Sequence, residues 1–412
     1  MKSGSKSGIL YLAHEIEKNR LLEVSMSESY HKQVAREETK RLRDVTDDLP
    51  PYVKEYFRSI SETTQPRTRT AYAYNIKLFF EWLIDQNPSL SGLSPKEISL
   101  DTLNRLTASD FEEYLDYLSL YTKNGREYTN DAPAKKRKLV ALRAFFRFLY
   151  QSDKLDQNVT EKVKTPKIHE KNIIRMESNE VADFLDTVEY GERLTKGQLR
   201  FHEKNKLRDL AILTLMLSTG IRVSECVGIN IDDVDFDRTS IRVVRKGGNE
   251  DVVYFSDEAA EVLLEYMEER KKIDAVKGSE DALFLSSHRS RITQRNVEYM
   301  VKKYSRISTP LKKITPHKLR STYGTALYQE TGDIYLVASV LGHKDVNTTR
   351  KHYAALDDHK KWRARNDVQL RESDRPVPVI PTTESGKSAK KGKTSAQATK
   401  TGKKSETGEK KD

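Results

Sequence analysis

The protein has 412 residues, of which 36% are hydrophobic, and a formal net charge of +11 with an isoelectric point near 9.2. No run approaches the roughly 18 apolar residues of a membrane helix, and the N-terminal MKSGSKSGIL lacks the apolar core of a secretory signal, so we expect a cytoplasmic protein with no membrane partner. The single cysteine, Cys226, excludes an internal disulfide, and the positive charge favours a polyanionic partner such as nucleic acid.

The N-terminal part of the chain is predicted to be helical. Residues 1–50 form a charged N-terminal extension that is only partly helical. Between 51 and 168, apolar residues recur at helical spacing in TAYAYNIKLFFEWLI, FEEYLDYLSLY and KLVALRAFFRFLY. Thr107 and Asp110 have the spacing of a cap for the second of these helices. We therefore predict an all-helical domain over 51–168.

A second, α-rich domain is predicted over residues 173–370, interrupted by one β segment. VDFD, SIRVVR and DVVYF are rich in β-branched residues, and RT and KGGNE between them have turn chemistry. The pattern predicts a small antiparallel sheet with Lys246 on a hairpin tip. Taken alone, a lysine beside Gly247 and Gly248 is more simply interpreted as a solvated surface residue.

An apolar helix is predicted from about residue 207 to 217. Thr219 and Gly220 should end it, because glycine tolerates the left-handed conformation of a helix stop. Arg222 follows directly, and two interpretations of it stay open. It is either a structural arginine paired with Glu225 or a rigid guanidinium that grips phosphate through two parallel hydrogen bonds.

The next helix is predicted to carry a histidine and an arginine. Thr315 and Pro316 suit its first turn, and His317 and Arg320 then share one face. Each histidine in this region could by itself be a satisfied structural residue. The presence of these histidines together with two arginines favours a catalytic role for them.

Two glycines delimit the helix that follows. Gly332 ends the preceding one, DIYLVASVL makes the new one, and Gly342 ends it just before His343. In the segment LGHKDVNTTRKHYAAL, Tyr353 could be either a core residue or a nucleophile.

The C-terminal residues 371–412 are rich in Pro, Ser, Thr, Gly and Lys and have almost nothing to bury, so we predict a disordered basic tail. From Pro381 to Asp412 there are nine lysines and four acids. This stretch therefore carries +5 of the +11, and the rest of the chain carries only +6.

Five elements of the sequence, taken in order, resemble the tyrosine recombinase (phage integrase) family: STGIRVSE, the hairpin lysine, HKLR, LGH and a late tyrosine. The resemblance covers roughly residues 52–370. Two stretches are similar to the family's helical, SAM-like core-binding domain: TRTAYAYNIKLFFEWL and AKKRKLVALRAFFRFLYQSDKL. Two others are similar to its catalytic domain: YFSDEAAEVLLEYMEERKK and LFLSSHRSRITQRNVEYMVKKY. It implies a mainly α fold with a small antiparallel β-sheet.

The sequence departs from the family at two points. The family's tyrosine usually follows the GH histidine by nine residues, whereas Tyr353 follows His343 by ten, with His352 at the usual place. Tyr353 remains the candidate because no other tyrosine lies between Tyr335 and the C-terminus, and one extra residue in the KDVN loop would absorb the difference. KGGNE also varies the family's hairpin sequence around Lys246.

The resemblance implies a set of catalytic residues: Arg222, Lys246, His317, Arg320, His343 and Tyr353. In this set Tyr353 would attack the scissile phosphate, with His317 as the base for the phenol and Lys246 as the acid for the departing 5′ oxygen. The product would be a 3′-phosphotyrosyl link to DNA.

The other members of the set would stabilise charge. Arg222 and Arg320 would bracket the non-bridging oxygens, His343 would donate a further hydrogen bond, and Glu225 would support the first arginine. Because one phosphoester is exchanged for another, neither ATP nor a metal ion is expected. The sequence has no P-loop, no clustered carboxylates and no Cys/His ligand pattern.

The family also implies its partners: double-stranded DNA with specific recombination sites, and a homotetramer on paired sites. The run Lys135, Lys136, Arg137 and Lys138 would suit contacts with the DNA backbone, although such a run could be only a solvated face. KKWRARNDVQL is a candidate for a helix exchanged between subunits or for one packed within its own subunit. Accessory DNA-bending proteins are compatible with this mode of action.

Three functions from different classes stay open at this stage. The first is a site-specific recombinase that integrates, excises or resolves DNA. The second is a topoisomerase that uses the same phosphotyrosine chemistry on one duplex, and the third is a DNA-binding accessory protein without catalysis. The complete residue set disfavours the third, and the core-binding helices disfavour the second.

Overall fold

The computed structural model of the protein describes residues 30–168, 174–245, 247–343 and 345–346. These residues are mostly helical, with two small antiparallel sheets, which confirms the predicted fold class. Within the described ranges, no helix is both long and apolar enough to cross a membrane.

The first hydrophobic core lies within residues 30–168. Its helices are α1 (Tyr30–Asp47), α2 (Pro51–Ser59), α3 (Pro66–Gln86), α4 (Leu100–Asn104), α5 (Ala108–Tyr117) and α6 (Ala132–Gln151), with 3₁₀ turns at Pro88–Leu90, Pro95–Glu97 and Val159–Glu161. Aromatic rings fill the centre, where Phe79 of α3 stacks on Phe111 with centroids 5.2 Å apart and meets Phe146 edge-on at 6.1 Å. The predicted domain limits of 51 and 168 remain a prediction.

The three predicted helices of this region are present, and the ends of two of them have clear local causes. The backbone N–H and the hydroxyl of Thr107 donate to the Asp110 carboxylate at 2.6 and 2.8 Å, which confirms the predicted cap of α5. At the start of α6, Asp131 accepts from the N–H of Ala134 at 3.1 Å. Such caps satisfy backbone donors that a helix start would otherwise leave unpaired.

The prediction that this region is all-helical is wrong at one point. Tyr121–Lys123 (β1) and Arg126–Tyr128 (β2) pair as an antiparallel hairpin between α5 and α6. The two residues between them, Asn124 and Gly125, have φ of +50° and +70°, the conformation that a two-residue hairpin turn requires. The dipeptide Asn-Gly is a sequence signal for such a turn, but three-residue strands are too short to show the alternation of apolar and polar residues that predicts a strand.

The N-terminal extension contributes more to the fold than its charge suggested. Helix α1 buries Leu42 and Val45 in the first core. At its other end, Tyr30 packs against the second core, with the guanidinium of Arg291 lying 5.4 Å from its ring centroid. Residues 1–29 lie outside the described residues.

The second hydrophobic core begins at Met176. Its helices are α7 (Ser178–Tyr190), α8 (Lys196–Thr219), α9 (Val223–Gly228), α10 (Asp257–Lys271), α11 (Gln294–Ser308), α12 (Pro316–Thr331) and α13 (Ile334–Val340), with a 3₁₀ turn at Ile231–Asp233. The sheet consists of β3 (Val234–Asp235), β4 (Ser240–Val244) and β5 (Glu250–Tyr254), antiparallel in that order. The predicted three-stranded segment is therefore present, while the domain limits of 173 and 370 remain a prediction.

Helix α8 carries the predicted apolar run and begins eleven residues before it, at Lys196. Leu213, Leu215 and Met216 are fully buried. The helix ends as predicted at Gly220, whose φ is +64° and where an added Cβ would lie 2.5 Å from the ring of Tyr323. Glycine is thus required both by the backbone conformation and by the available space.

Candidate active site

Arg222 lies directly after the end of α8, at the start of α9. Its Nη1 donates to Oε1 of Glu225 at 2.7 Å, and its backbone N–H donates to Oε2 of the same carboxylate at 2.9 Å. Glu225 is only 2% exposed. The pairing expected from the sequence is therefore present. Because the Arg222 side chain is still partly exposed, the carboxylate orients the guanidinium without enclosing it.

Arg320 projects inward from α12 and is 4% exposed. Its Nη1 donates to the carbonyl of Gly220 at 2.6 Å, and its Nη2 donates to the carbonyl of Leu341. One side chain thus ties the end of α8 to the residue that follows α13.

Helix α13 ends in the turn that carries His343. Gly342 has φ +60°, its N–H donates to the carbonyl of Ser339 at 2.8 Å, and the N–H of His343 donates to the carbonyl of Ala338 at 2.9 Å. This is the Schellman pattern of a helix end. It leaves the carbonyls of residues 340–342 without a backbone donor from the helix.

Three arginines donate to these three carbonyls, one each. Arg245 Nη2 reaches the first at 3.1 Å, Arg320 the second, and Arg222 Nη2 the third at 3.3 Å. Cations are favoured at this end of a helix because the helix dipole is negative there. The arrangement gathers three guanidinium groups, from separate parts of the chain, beside the turn of His343.

Arg245 is a residue of this site for which the sequence predicted no role. Its Nε donates to Oδ2 of Asp251 at 2.9 Å, and its Nη1 donates to Oε2 of Glu225 at 3.0 Å. The contact with Asp251 could have been predicted from the sequence, since an arginine and an acid on neighbouring antiparallel strands favour a cross-strand ion pair. The contact with Glu225 joins separate elements and has no local signal.

The two residues expected to share one face of α12 differ in their surroundings. His317, in the first turn, is exposed, whereas Arg320, three residues on, is turned into the core. His343 is half-buried in the turn after α13. The structure therefore has His317 exposed in the first turn of α12 and His343 in the turn that the three arginines contact.

Two members of the predicted set, Lys246 and Tyr353, lie outside the described residues. Two described side chains near the site are poor alternatives as nucleophiles. Burial raises the pKa of the Cys226 thiol to about 12. Burial also raises the pKa of Tyr323, which packs against Gly220. Both groups stay protonated at neutral pH, which makes them weak nucleophiles.

The site is positively charged. Its three guanidinium groups face one buried carboxylate, that of Glu225, and one partly exposed carboxylate, that of Asp251. A guanidinium presents paired N–H donors that match phosphate oxygens. Among the described residues, no group of three or more His, Cys, Asp or Glu side chains could hold a metal ion. The chemistry that these side chains support best is stabilisation of a phosphate.

The predicted DNA-binding run opens α6 and contributes to a cleft of about 1500 Å³. Lys136 and Arg137 are exposed, whereas Lys135 and Lys138 donate to polar side chains of the preceding segment at 2.5 and 2.9 Å. Lys138 is half-buried, and burial together with the neighbouring Arg137 lowers its pKa. Within the run, Lys136 and Arg137 are thus the two exposed cations.

The same cleft is lined by residues of both cores. Arg222 and Arg245 lie along it, together with Arg67, Tyr74 and Asn75 of α3, for which no role was predicted. These three residues could have been found from the sequence, because they lie on the polar face of a helix whose other face is aromatic and buried. The structure therefore brings the basic run and the arginine cluster to one surface.

Comparison with known proteins agrees with this geometry. Residues 175–360 match the phage integrase family. The chain is 34% identical over 349 residues to the tyrosine recombinase XerS of Streptococcus agalactiae. This alignment covers 78% of this chain and 96% of that protein. It is 31% identical over 332 residues to the tyrosine recombinase XerC of Caldanaerobacter subterraneus, with 78% and 87% covered.

Solved structures show the same fold. A XerH recombinase bound to a palindromic difH substrate, in a post-cleavage complex, matches with a TM-score of 0.53 at 19% identity, covering 72% of this chain and 80% of that one. A lambda integrase tetramer bound to a Holliday junction matches with a TM-score of 0.51 at 16% identity, covering 73% and 76%. Because its sequence aligns with relatives over nearly their whole length, the chain belongs to the phage integrase family of tyrosine recombinases.

Proposed function

We propose that this tyrosine site-specific recombinase cleaves and rejoins DNA strands through a 3′-phosphotyrosyl intermediate at Tyr353, and so integrates, excises or resolves DNA. The observation that carries the proposal is the gathering of Arg222, Arg245 and Arg320 on the three carbonyls before His343. Charge develops on the phosphate oxygens as a phosphoester is attacked, and fixed donors stabilise that charge without reorganising.

In the proposed reaction, Arg222 and Arg320 bracket the non-bridging oxygens and His343 donates a further hydrogen bond. A guanidinium has five N–H groups, so Arg222 can hold Glu225 and the turn and still donate to phosphate. A single preorganised donor of this kind is typically worth about 3 kcal/mol of transition-state stabilisation.

The proton transfers are assigned to three residues. A phenol has an ordinary pKa near 10, so Tyr353 needs nearby positive charge and a proton acceptor, for which His317 is the candidate. Lys246 gives a proton to the 5′ oxygen as its bond to phosphorus breaks. Because a new phosphoester forms as the old one breaks, the exchange balances without ATP or a metal ion.

We infer that the DNA duplex is bound along the cleft, with the basic run of α6 on the phosphate backbone and the arginine cluster at the scissile phosphate. The structures with the same fold include a recombinase bound to its substrate and an integrase tetramer on a Holliday junction. By analogy we propose that this protein acts on DNA in the cytoplasm, at the nucleoid, as a homotetramer on paired sites. Accessory DNA-bending proteins are compatible with this assembly.

Product connectivity tests the function. DNA that flanks the gene is placed twice in one plasmid and incubated with purified protein, and the products are mapped by restriction digestion. We expect circles in which the segment between the two copies is excised or inverted. Relaxed circles with unchanged connectivity would indicate the topoisomerase alternative, and the absence of any covalent protein–DNA adduct would indicate a non-catalytic accessory protein.

The DNA-binding assignment has its own test. Replacing Lys136 and Arg137 by alanine should weaken binding to any duplex and reduce the slope of log affinity against log salt by about 2, because each phosphate that the protein neutralises adds roughly 0.9 to that slope. The matched control is the double alanine variant of Lys271 and Lys272, a basic pair that is also exposed but does not line the cleft. Equal slopes for the two double variants would contradict the assignment.

A further inference from the structure

Arg245, for which the sequence predicted no role, is connected to several elements of the site. Its guanidinium donates to three acceptors on three elements: Asp251 of β5 at 2.9 Å, Glu225 of α9 at 3.0 Å and the carbonyl of Val340 at 3.1 Å. Its side chain is only 10% exposed. The equally charged Arg242, three residues earlier, is 55% exposed and is paired with Asp233. The two arginines therefore have different surroundings, although Arg242 lies in β4 and Arg245 follows it directly.

The first connection runs to Arg222. Glu225 is buried and its two oxygens are shared, since Oε1 accepts from Arg222 Nη1 while Oε2 accepts from Arg245 Nη1 and from the Arg222 backbone. A buried carboxylate held from two sides has one orientation. Removal of Arg245 would free one side of that carboxylate and, with it, the guanidinium of Arg222.

The second connection runs to the turn of His343. Besides the bond to Val340, Arg245 packs against Gly342, where an added Cβ would lie 2.9 Å from its Nε and 3.0 Å from its Cζ. Arg245 therefore fills the space that the glycine leaves. This side chain thus supports the turn together with Arg222 and Arg320.

The third connection is covalent. Arg245 is the residue before Lys246, and it closes the hairpin turn, because its N–H donates to the carbonyl of Asn249 at 2.7 Å and its own carbonyl accepts from Gly248 at 3.0 Å. The hairpin that carries the candidate general acid is thus attached to the arginine cluster through one side chain.

We propose that Arg245 is a positioning residue that holds Arg222, His343 and the Lys246 hairpin in one reactive arrangement, without itself binding the phosphate. The inference rests on the proposed phosphotyrosyl chemistry and adds a residue to it. Misplacing reactive groups by about 1 Å costs on the order of 10²-fold in rate. We therefore expect Arg245→Ala to lower the single-turnover rate constant of adduct formation by about 100-fold.

The experiment measures adduct formation and DNA affinity for the wild type, Arg245→Ala and the control Arg242→Ala. For Arg245→Ala we expect the slower rate constant, an affinity close to that of the wild type, and an unchanged final amplitude of adduct. Arg242→Ala should match the wild type in all three quantities. A reduced amplitude with a normal rate constant would show only a loss of folded protein and overturn the proposal, as would a loss of affinity that accounts for the slower reaction.

A double-mutant cycle tests the route through Glu225. If Arg245 acts on Arg222 through this carboxylate, Glu225→Gln and Arg245→Ala together should cost clearly less than the product of their separate effects. If the two effects multiply fully, that route is overturned.

A second variant is available should Arg245→Ala fail to fold. Asp251→Asn changes only the outermost partner of Arg245, and we expect it to lower the same rate constant by a smaller factor. An unchanged rate constant for this variant would contradict the proposal. If the wild type forms no adduct, the proposed function fails; if it does and the variants match it, only this inference fails.

Discussion

Tyr353→Phe should abolish the covalent protein–DNA adduct while leaving DNA affinity unchanged. The substitution removes one oxygen and keeps the ring, so packing is retained and the nucleophile is lost. Without the phenolic oxygen, residue 353 has no atom that can form a bond to phosphorus. The phosphate contacts that we propose for α6, Arg222 and Arg320 are untouched. The measurement is denaturing electrophoresis of protein trapped on labelled DNA, together with a binding titration.

The matched control is Tyr335→Phe, because Tyr335 is the preceding tyrosine in the chain and is 70% exposed on α13. It should form adduct at the normal rate. Adduct formation by Tyr353→Phe would show that the nucleophile is a different residue. Unfolding of Tyr353→Phe would show instead that this tyrosine belongs to the core.

Lys246→Ala should cleave ordinary DNA about 10² to 10⁴ times more slowly, the usual contribution of a general acid. Its proposed task is to protonate the 5′ oxygen, since an alkoxide is a poor leaving group. Replacing that bridging oxygen by sulfur gives a thiolate, which leaves without a proton. We therefore expect the variant to cleave the sulfur-bridged substrate at nearly the wild-type rate.

Arg222→Ala is the comparison that separates the two kinds of catalysis. Charge still develops on the non-bridging oxygens when the leaving atom is sulfur, so this variant should remain slow on both substrates. If Lys246→Ala is equally slow on both, the lysine holds the DNA or the hairpin and the acid lies elsewhere. Normal cleavage of ordinary DNA would return it to a solvated hairpin tip.

Local sequence patterns were sufficient to predict α3, α5, α6, α8, α12 and α13. The periodic apolar residues of α3 and α6 and the cap of α5 depend on neighbours within a few positions, so they can be recognised without the fold. The same holds for the left-handed glycines at 220, 332 and 342, each of which ends a helix as predicted. The hairpin of β1 and β2 was missed because its strands are too short for a pattern.

By itself, then, the sequence indicated the helices and the small sheet through local patterns, and it indicated the family and the order of the candidate catalytic residues through its resemblance to the tyrosine recombinases. Only the tertiary structure decided that Arg222, Arg245 and Arg320 converge on three successive carbonyls at the C-terminal end of α13. Those contacts join residues 21 to 120 positions apart. No local pattern specifies such pairs, because they depend on how α8, α12 and the sheet pack around a shared core. Two of the three contacts that define the role of Arg245 arise from that packing, since Glu225 and the end of α13 meet it only in the folded chain.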